Sequence, residues 1–183
     1  ILELKPDFAE ALNNLGVTFL DFGKPKLAVP PLQKLVKYKP KYADAFYNLG
    51  LAQKLNGDDQ SAIESFSQAV NLKSKDISFW ETLGSALSVR GVSKLRYNDF
   101  YVDIFIGLLQ RKATHNPHMI APALLQFLSK SPLFEKHISC NVELRNSDHI
   151  WIEVIKDLSS IPLLIRLMEI CPIANLKLEK LFT

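Results

Sequence analysis

Two sets of side chains in this sequence stand at spacings that chemistry can use. The first is imidazole and thiol. His115 and His118 lie three residues apart, close enough for both rings to face one ion. A metal centre needs further ligands, however, and no Cys, Asp or Glu stands beside them, while Pro117 opens a helix between them. The pair reads as loop histidines, and neither a metal nor any other cofactor is expected. His137 and His149 stand alone. Cys140 lacks the electropositive neighbourhood that would make a nucleophilic thiolate, His137 three residues away excepted, and reads as a buried thiol. The second set is amide. Asn14 and Asn48 occur 34 residues apart in matching surroundings. An asparagine side chain offers one acceptor and two donors, which match the N–H and C=O of a peptide unit. A column of such residues can grip an extended backbone whatever its sequence.

The elements that must position those amides repeat with the same period. Ala43-Asp44-Ala45-Phe46-Tyr47-Asn48-Leu49-Gly50 restates Ala9-Glu10-Ala11-Leu12-Asn13-Asn14-Leu15-Gly16, and Leu83-Gly84 restates its end 34 residues further on. A period of this length built from paired helices predicts a solenoid, in which each unit buries its apolar face on the next. In register, the large residue of the first helix is Leu12, Phe46 and Trp80, and the turn glycine is Gly23, Gly57 and Gly91. On the second helix the small residue is Ala28 and Ala62, the bulky one Leu32 and Phe66, and the next small position Leu35 and Ala69; Pro6 and Pro40 close repeats, with Ser74 in that place the third time. Glycine at 16, 50 and 84 lets helices approach closely, and at 23, 57 and 91 it supplies a left-handed helix end.

This register resembles the tetratricopeptide repeat family. The resemblance implies an all-α fold, a right-handed α-solenoid of helix-turn-helix repeats with a C-terminal helical extension. It divides the chain into the end of a preceding repeat (1–8), two full repeats (9–42 and 43–76), a degenerate terminal repeat (77–111) and a helical adaptor (112–183). Ile1-Leu2-Glu3-Leu4 then reads as the last turn of a second helix, and the sequence as an internal piece of a longer polypeptide.

Helical spacing predicts the first helix over Ala9 to Phe22, capped by Asp7, and its partner over Pro25 to Tyr38, with a kink or late start at Pro30-Pro31. The next pair runs from Tyr42 or Ala43 to Asn56 and from Asp59 to Leu72. Ser74 and Asp76 cap a helix over Ile77 to Arg90. Beyond Gly91, Arg96 and Asp103 fall where small or apolar residues stood. A longer, non-standard helix is therefore expected from about Ser93 to Arg111, with Tyr97, Phe100, Tyr101, Ile104 and Leu108 on its apolar face. Terminal units of solenoids cap an open core and are atypical for that reason. The tail predicts short helices from Pro117 to Lys130, from Ser147 or Asp148 to Leu158 and from Pro162 to Cys171, a last one capped by Asn175, and a loop over Phe134 to Arg145.

Composition excludes other classes. Of 183 residues, 48% are apolar and 22% charged, which supports a packed core. The net charge of +3 is spread evenly, with no basic stripe of the kind nucleic acid demands. Lys34, Lys37, Lys39 and Lys41 form a mild basic cluster at a helix end, read as a solvated face. The longest apolar runs fall well short of the roughly 20 residues that span a bilayer. Two cysteines without CxxC spacing suit a reduced, cytoplasmic protein. The expected partner is a protein or peptide, with neither nucleic acid nor membrane; the oligomeric state is open.

In the family that the register resembles, first helices line a concave groove. That implies a peptide-binding surface made of Asn13, Asn14, Val17, Leu20, Tyr47, Asn48, Leu51, Lys54, Glu81 and Ser85. Asn14 and Asn48 resemble two rungs of the asparagine ladder in O-linked N-acetylglucosaminyltransferases, with Thr82 in the third place. The carboxylate clamp of chaperone-binding repeats is not implied, because Val17 and Leu51 occupy its asparagine position. The tail, through Pro122-Ala123-Leu124-Leu125, Leu163-Leu164, Arg166-Leu167 and Cys171-Pro172-Ile173, resembles the helical linker of bacterial proteins that join such repeats to a methyltransferase. Three functions stay open: a binding module without catalysis of its own, the substrate arm of a larger transferase, or a scaffold that self-associates through its N-terminal edge.

Overall fold

The structure, a computed structural model, describes residues 6–111, 117–132 and 160–170. Every regular element among these is an α-helix: α1 (Pro6–Asp21), α2 (Pro25–Tyr38), α3 (Ala43–Leu55), α4 (Asp59–Leu72), α5 (Ile77–Ala86), α6 (Val89–Val92), α7 (Asp99–Gln110), α8 (Pro117–Leu128) and α9 (Pro162–Ile170). The chain divides into two compact units, Ile1–Gly91 and Val92–Thr183. The fold is all-α, and in the first unit α1 to α5 stack in sequence as a helical-repeat solenoid.

The repeat register becomes packing in a direct way. Gly16 on α1 faces Leu32 on α2, and Gly50 on α3 faces Phe66 on α4. A Cβ at Gly16 would stand 2.5 Å from Leu32, and one at Gly50 2.7 Å from the Phe66 ring, so each first helix can accept the bulky residue of its partner only because a hydrogen stands there. Gly23 and Gly57 close α1 and α3 at φ 66° and 77°, the left-handed conformation that reverses the chain without strain. Between repeats, Leu49 of α3 buries against Ala28 and Leu32 of α2, and Ala45 against Leu35. Inside the second repeat, Ser65 Oγ donates to Gln53 Oε1 at 2.6 Å, so the one buried amide of α3 is paired with α4.

Several expected boundaries move. Helix α1 begins at Pro6 and not Ala9, which places Asp7 inside the helix and not at its cap. Helix α2 has no late start: it runs unbroken from Pro25 through Pro30 and Pro31. The carbonyls that lose their donors to these prolines belong to Lys26 and Leu27, both exposed residues, so the loss falls on the solvent side of the helix, where it costs least. Helix α5 stops at Ala86 because Leu87 turns extended (φ −63°, ψ 115°), four residues short of the expected end. Gly91 is then no left-handed turn; it lies within α6 with a helical φ, packed on Ile63 of α4.

In the second unit the expected helix from Ser93 starts only at Asp99, where Asn98 Oδ1 accepts from the N–H of Tyr101 at 3.0 Å. Asn98 ends any run from upstream by offering the backbone this alternative partner. Tyr97 therefore precedes the helix, and the buried face of α7 is Val102, Ile104, Phe105, Leu108 and Leu109, with Phe100 and Tyr101 only half-buried. Phe127 of α8 meets Phe105 edge to face at 5.0 Å and Tyr97 stacked at 5.2 Å. Lys130 Nζ donates to the carbonyls of Val92, Ser93 and Leu95 at 2.8, 2.6 and 2.7 Å. Helices α8 and α9 match the expected spans closely, whereas the expected helices around 147–158 and after 175, and the loop at 134–145, lie outside the described residues.

Candidate functional site

The register places one first helix beside the next, and three polar contacts tie α1, α3 and α5 across the resulting surface. Asn48 Nδ2 on α3 donates to Asn13 Oδ1 on α1 at 3.0 Å. Tyr47 Oη lies 3.3 Å from Thr82 Oγ1 on α5. Because Thr82 Oγ1 already donates to the Ser78 carbonyl at 2.9 Å, the Tyr47 hydroxyl is the donor in that pair. Lys54 Nζ donates to Ser85 Oγ at 3.1 Å and to the Ser85 carbonyl at 3.3 Å. All ten residues expected on the groove thus lie on these three helices. Asn13, Val17, Leu20, Tyr47, Asn48, Leu51 and Lys54 are half-buried, and Asn14, Glu81 and Ser85 are exposed.

The two asparagines at equivalent register are not equivalent in structure. Asn48 is held by Asn13, whereas Asn14 is exposed and borders a pocket of about 700 Å³ with Glu10, Lys39, Lys41 and Tyr42. That pocket brings part of the basic cluster beside Asn14, a juxtaposition that the reading of Lys39 and Lys41 as a solvated helix end missed. Its signal was available: Glu10 and Lys39 stand one period before Asp44 and Lys73, which form an ion pair at 2.8 Å.

Aromatic packing fixes the floor of the surface. The Tyr47 ring stacks on Phe79 with centroids 4.7 Å apart and 13° between planes, and it approaches Phe66 at 5.9 Å. Tyr47 therefore joins α3, α4 and α5 while its hydroxyl reaches the surface. At the large position of α5, Trp80 is buried and its Nε1 donates to the carbonyl of Ser74 at 2.8 Å, so the residue standing in for the closing proline accepts a side-chain bond. Asp76 caps α5: its Oδ1 accepts from Ser78 N at 3.1 Å and from Ser78 Oγ at 2.7 Å. The Ser78 side-chain hydrogen bond, more than any other influence, holds the Asp76 carboxyl below the ordinary aspartate value.

Among the described residues no group of three or more His, Cys, Asp or Glu stands together to hold a metal. His115, His137, His149, Cys140 and Cys171 lie outside the described residues. No described helix is long and apolar enough to cross a membrane.

A comparison with curated proteins finds no match. The family model described as Tetratricopeptide repeat matches residues 43–76. That span holds α3, the left-handed turn at Gly57, α4 and the link to α5, with Gly50 seated on Phe66. Such repeats serve in general as protein-interaction scaffolds without catalysis, and residues 43–76 of this chain form a tetratricopeptide repeat.

Proposed function

We propose that this protein is an interaction module that binds an extended peptide or protein segment along the face made by α1, α3 and α5. The observation that carries the reading is the row of three cross-helix polar contacts, Asn13 to Asn48, Tyr47 to Thr82 and Lys54 to Ser85. Side chains held by their neighbours lose little freedom when a ligand arrives, which is the condition for a modest surface to bind. The Asn13 contact takes one of the two donors of Asn48 and leaves its carbonyl oxygen for a ligand N–H. Asn14, exposed at the mouth of the pocket, offers the next backbone contact. Between these polar points Val17, Leu20 and Leu51, each half-buried, supply apolar patches for alternate ligand side chains.

The test is selection of binders from a random peptide library displayed on phage, followed by affinity measurement on the wild type and on Asn14→Ala/Asn48→Ala. Two lost backbone hydrogen bonds at about 1 kcal/mol each predict a loss of about tenfold or more. Selected peptides that bind the folded double variant as tightly as the wild type would remove the ladder from the groove, and a library that yields no binder would remove the groove itself.

A further inference from the structure

The link that closes the second repeat holds a carboxylate. Lys73, the first residue after α4, donates to both oxygens of Asp44 on α3, at 2.8 and 2.9 Å. One period earlier Glu10 stands in the place of Asp44, Lys39 in that of Lys73 and Lys41 in that of Lys75. There the pair is open. Glu10, Lys39 and Lys41 are exposed, and among the described residues none of the three side chains has a hydrogen bond or an ion pair. In both copies the acid and the lysine belong to one repeat and the link that closes it, so the contrast lies within the repeats and not in what neighbours them.

The open copy leaves a pocket of about 700 Å³, walled by Ala9, Glu10 and Asn14 of α1 and by Lys39, Lys41 and Tyr42 of the link to α3. Its apolar wall belongs to the seam with the second repeat: Ala9 is buried in one cluster with Leu35 and Ala45, and Tyr42 packs against that cluster. Two ammonium groups and one carboxylate border the space, which leaves a surplus of positive charge. A concave wall with apolar members focuses such a charge more than open surface does. We propose that this pocket takes a carboxylate side chain of the bound segment, an aspartate or glutamate seated on Lys39 and Lys41 as Asp44 is seated on Lys73. The assignment rests on the groove reading, since Asn14 belongs to both surfaces, and it makes the ligand an acidic peptide. It owes nothing to the carboxylate-clamp position, which Val17 and Leu51 occupy.

The test selects the random peptide library on phage in parallel on the full chain and on Lys39→Gln/Lys41→Gln, whose fold is checked by circular dichroism. Peptides from the wild type should share an Asp or Glu at one position, and the double variant should yield binders without that preference. One such peptide is then labelled and titrated by anisotropy. Replacing its acid by the matching amide should weaken binding to the wild type about fivefold at low salt and less at high salt, and should not weaken binding to the double variant. Glu10→Gln removes a carboxylate that competes for the same lysines and should tighten the acidic peptide by about twofold or more. Three results would each overturn the proposal and leave the groove standing: binders without an acid preference, an acid-to-amide loss equal on both proteins, or unchanged affinity in Glu10→Gln. A library that yields no binder at all removes the groove and its acidic ligand together.

Discussion

The amide of Asn48 reaches across from the second repeat to the Asn13 oxygen of the first, 3.0 Å away, at a half-buried position between two parallel-stacked first helices. Neutral side-chain hydrogen bonds of this kind contribute about 1 kcal/mol. Asn48→Ala and Asn13→Ala should each lower the unfolding free energy in urea by that amount, and the double variant should lose less than the sum. A double-mutant cycle that is additive within about 0.3 kcal/mol would mean that the two amides are neighbours without energetic coupling.

Gly50→Ala should be harmful although alanine is the better helix former. The propensity gain is about 1 kcal/mol. The added methyl would stand 2.7 Å from the ring of Phe66, which is fully buried and cannot withdraw, so α3 and α4 must separate. Overpacking of a dense core costs about 1–3 kcal/mol, and against a fully buried ring the upper part of that range applies. A net loss of about 1–2 kcal/mol is expected in thermal or urea unfolding, and Phe66→Leu in the same chain should return part of it by clearing space. A Gly50→Ala protein more stable than the wild type would show that the two helices have room to part.

How much of this was legible in the sequence follows from where a residue's role is local. Gly57 between two full helices could only be a left-handed turn, and Gly50, at the small register position that faces the bulky Phe66 of the return helix, could only be a contact point, so the repeat register led straight to both. Gly91 sat at the same register, but its role depended on α5 reaching it. Leu87 goes extended and ends that helix early, a choice set by packing that periodicity does not encode. Asn98 was legible as a cap in principle, since an Asn followed by an acid opens helices; the apolar residues around Tyr97 masked it. On the groove, helical register gave the right faces, while the pairing of Asn48 with Asn13 and the opening beside Asn14 depend on how far one repeat rotates on the next.

Acid should weaken the entry to α5. Asp76 has a carboxyl held below its ordinary value, chiefly by the Ser78 hydroxyl, so its ionised form is bound more strongly in the folded chain than in the unfolded one. The sign follows: the cap contributes its stability above the unfolded aspartate pKa and loses it as pH falls through the lower, folded value. A carbon-detected NMR titration should find Asp76 titrating below the ordinary aspartate value, and Ser78→Ala should move it up. The melting-temperature difference between wild type and Asp76→Asn should be present near neutral pH and shrink in acid. A difference that is constant across the acid range would assign the cap to geometry alone.

Lys130 makes the last prediction, because its ammonium spends all three of its donors on one stretch of backbone. The carbonyls of Val92, Ser93 and Leu95 converge on Nζ at 2.6 to 2.8 Å, just where α6 ends, and the Val92 carbonyl also accepts from the N–H of Leu95 at 3.1 Å. Hydrogen bonds to a charged donor are worth about 1.5–3 kcal/mol, and three that share one cation do not add. Lys130→Met keeps the stem and removes the donors, so a loss of about 2–3 kcal/mol is expected in urea unfolding, with faster amide exchange over residues 92–98. Lys130→Arg should rescue only part, since a planar guanidinium cannot aim its donors at three carbonyls that converge on a point. Unfolding of Lys130→Met within about 0.5 kcal/mol of the wild type would show that water serves these carbonyls as well as the lysine does.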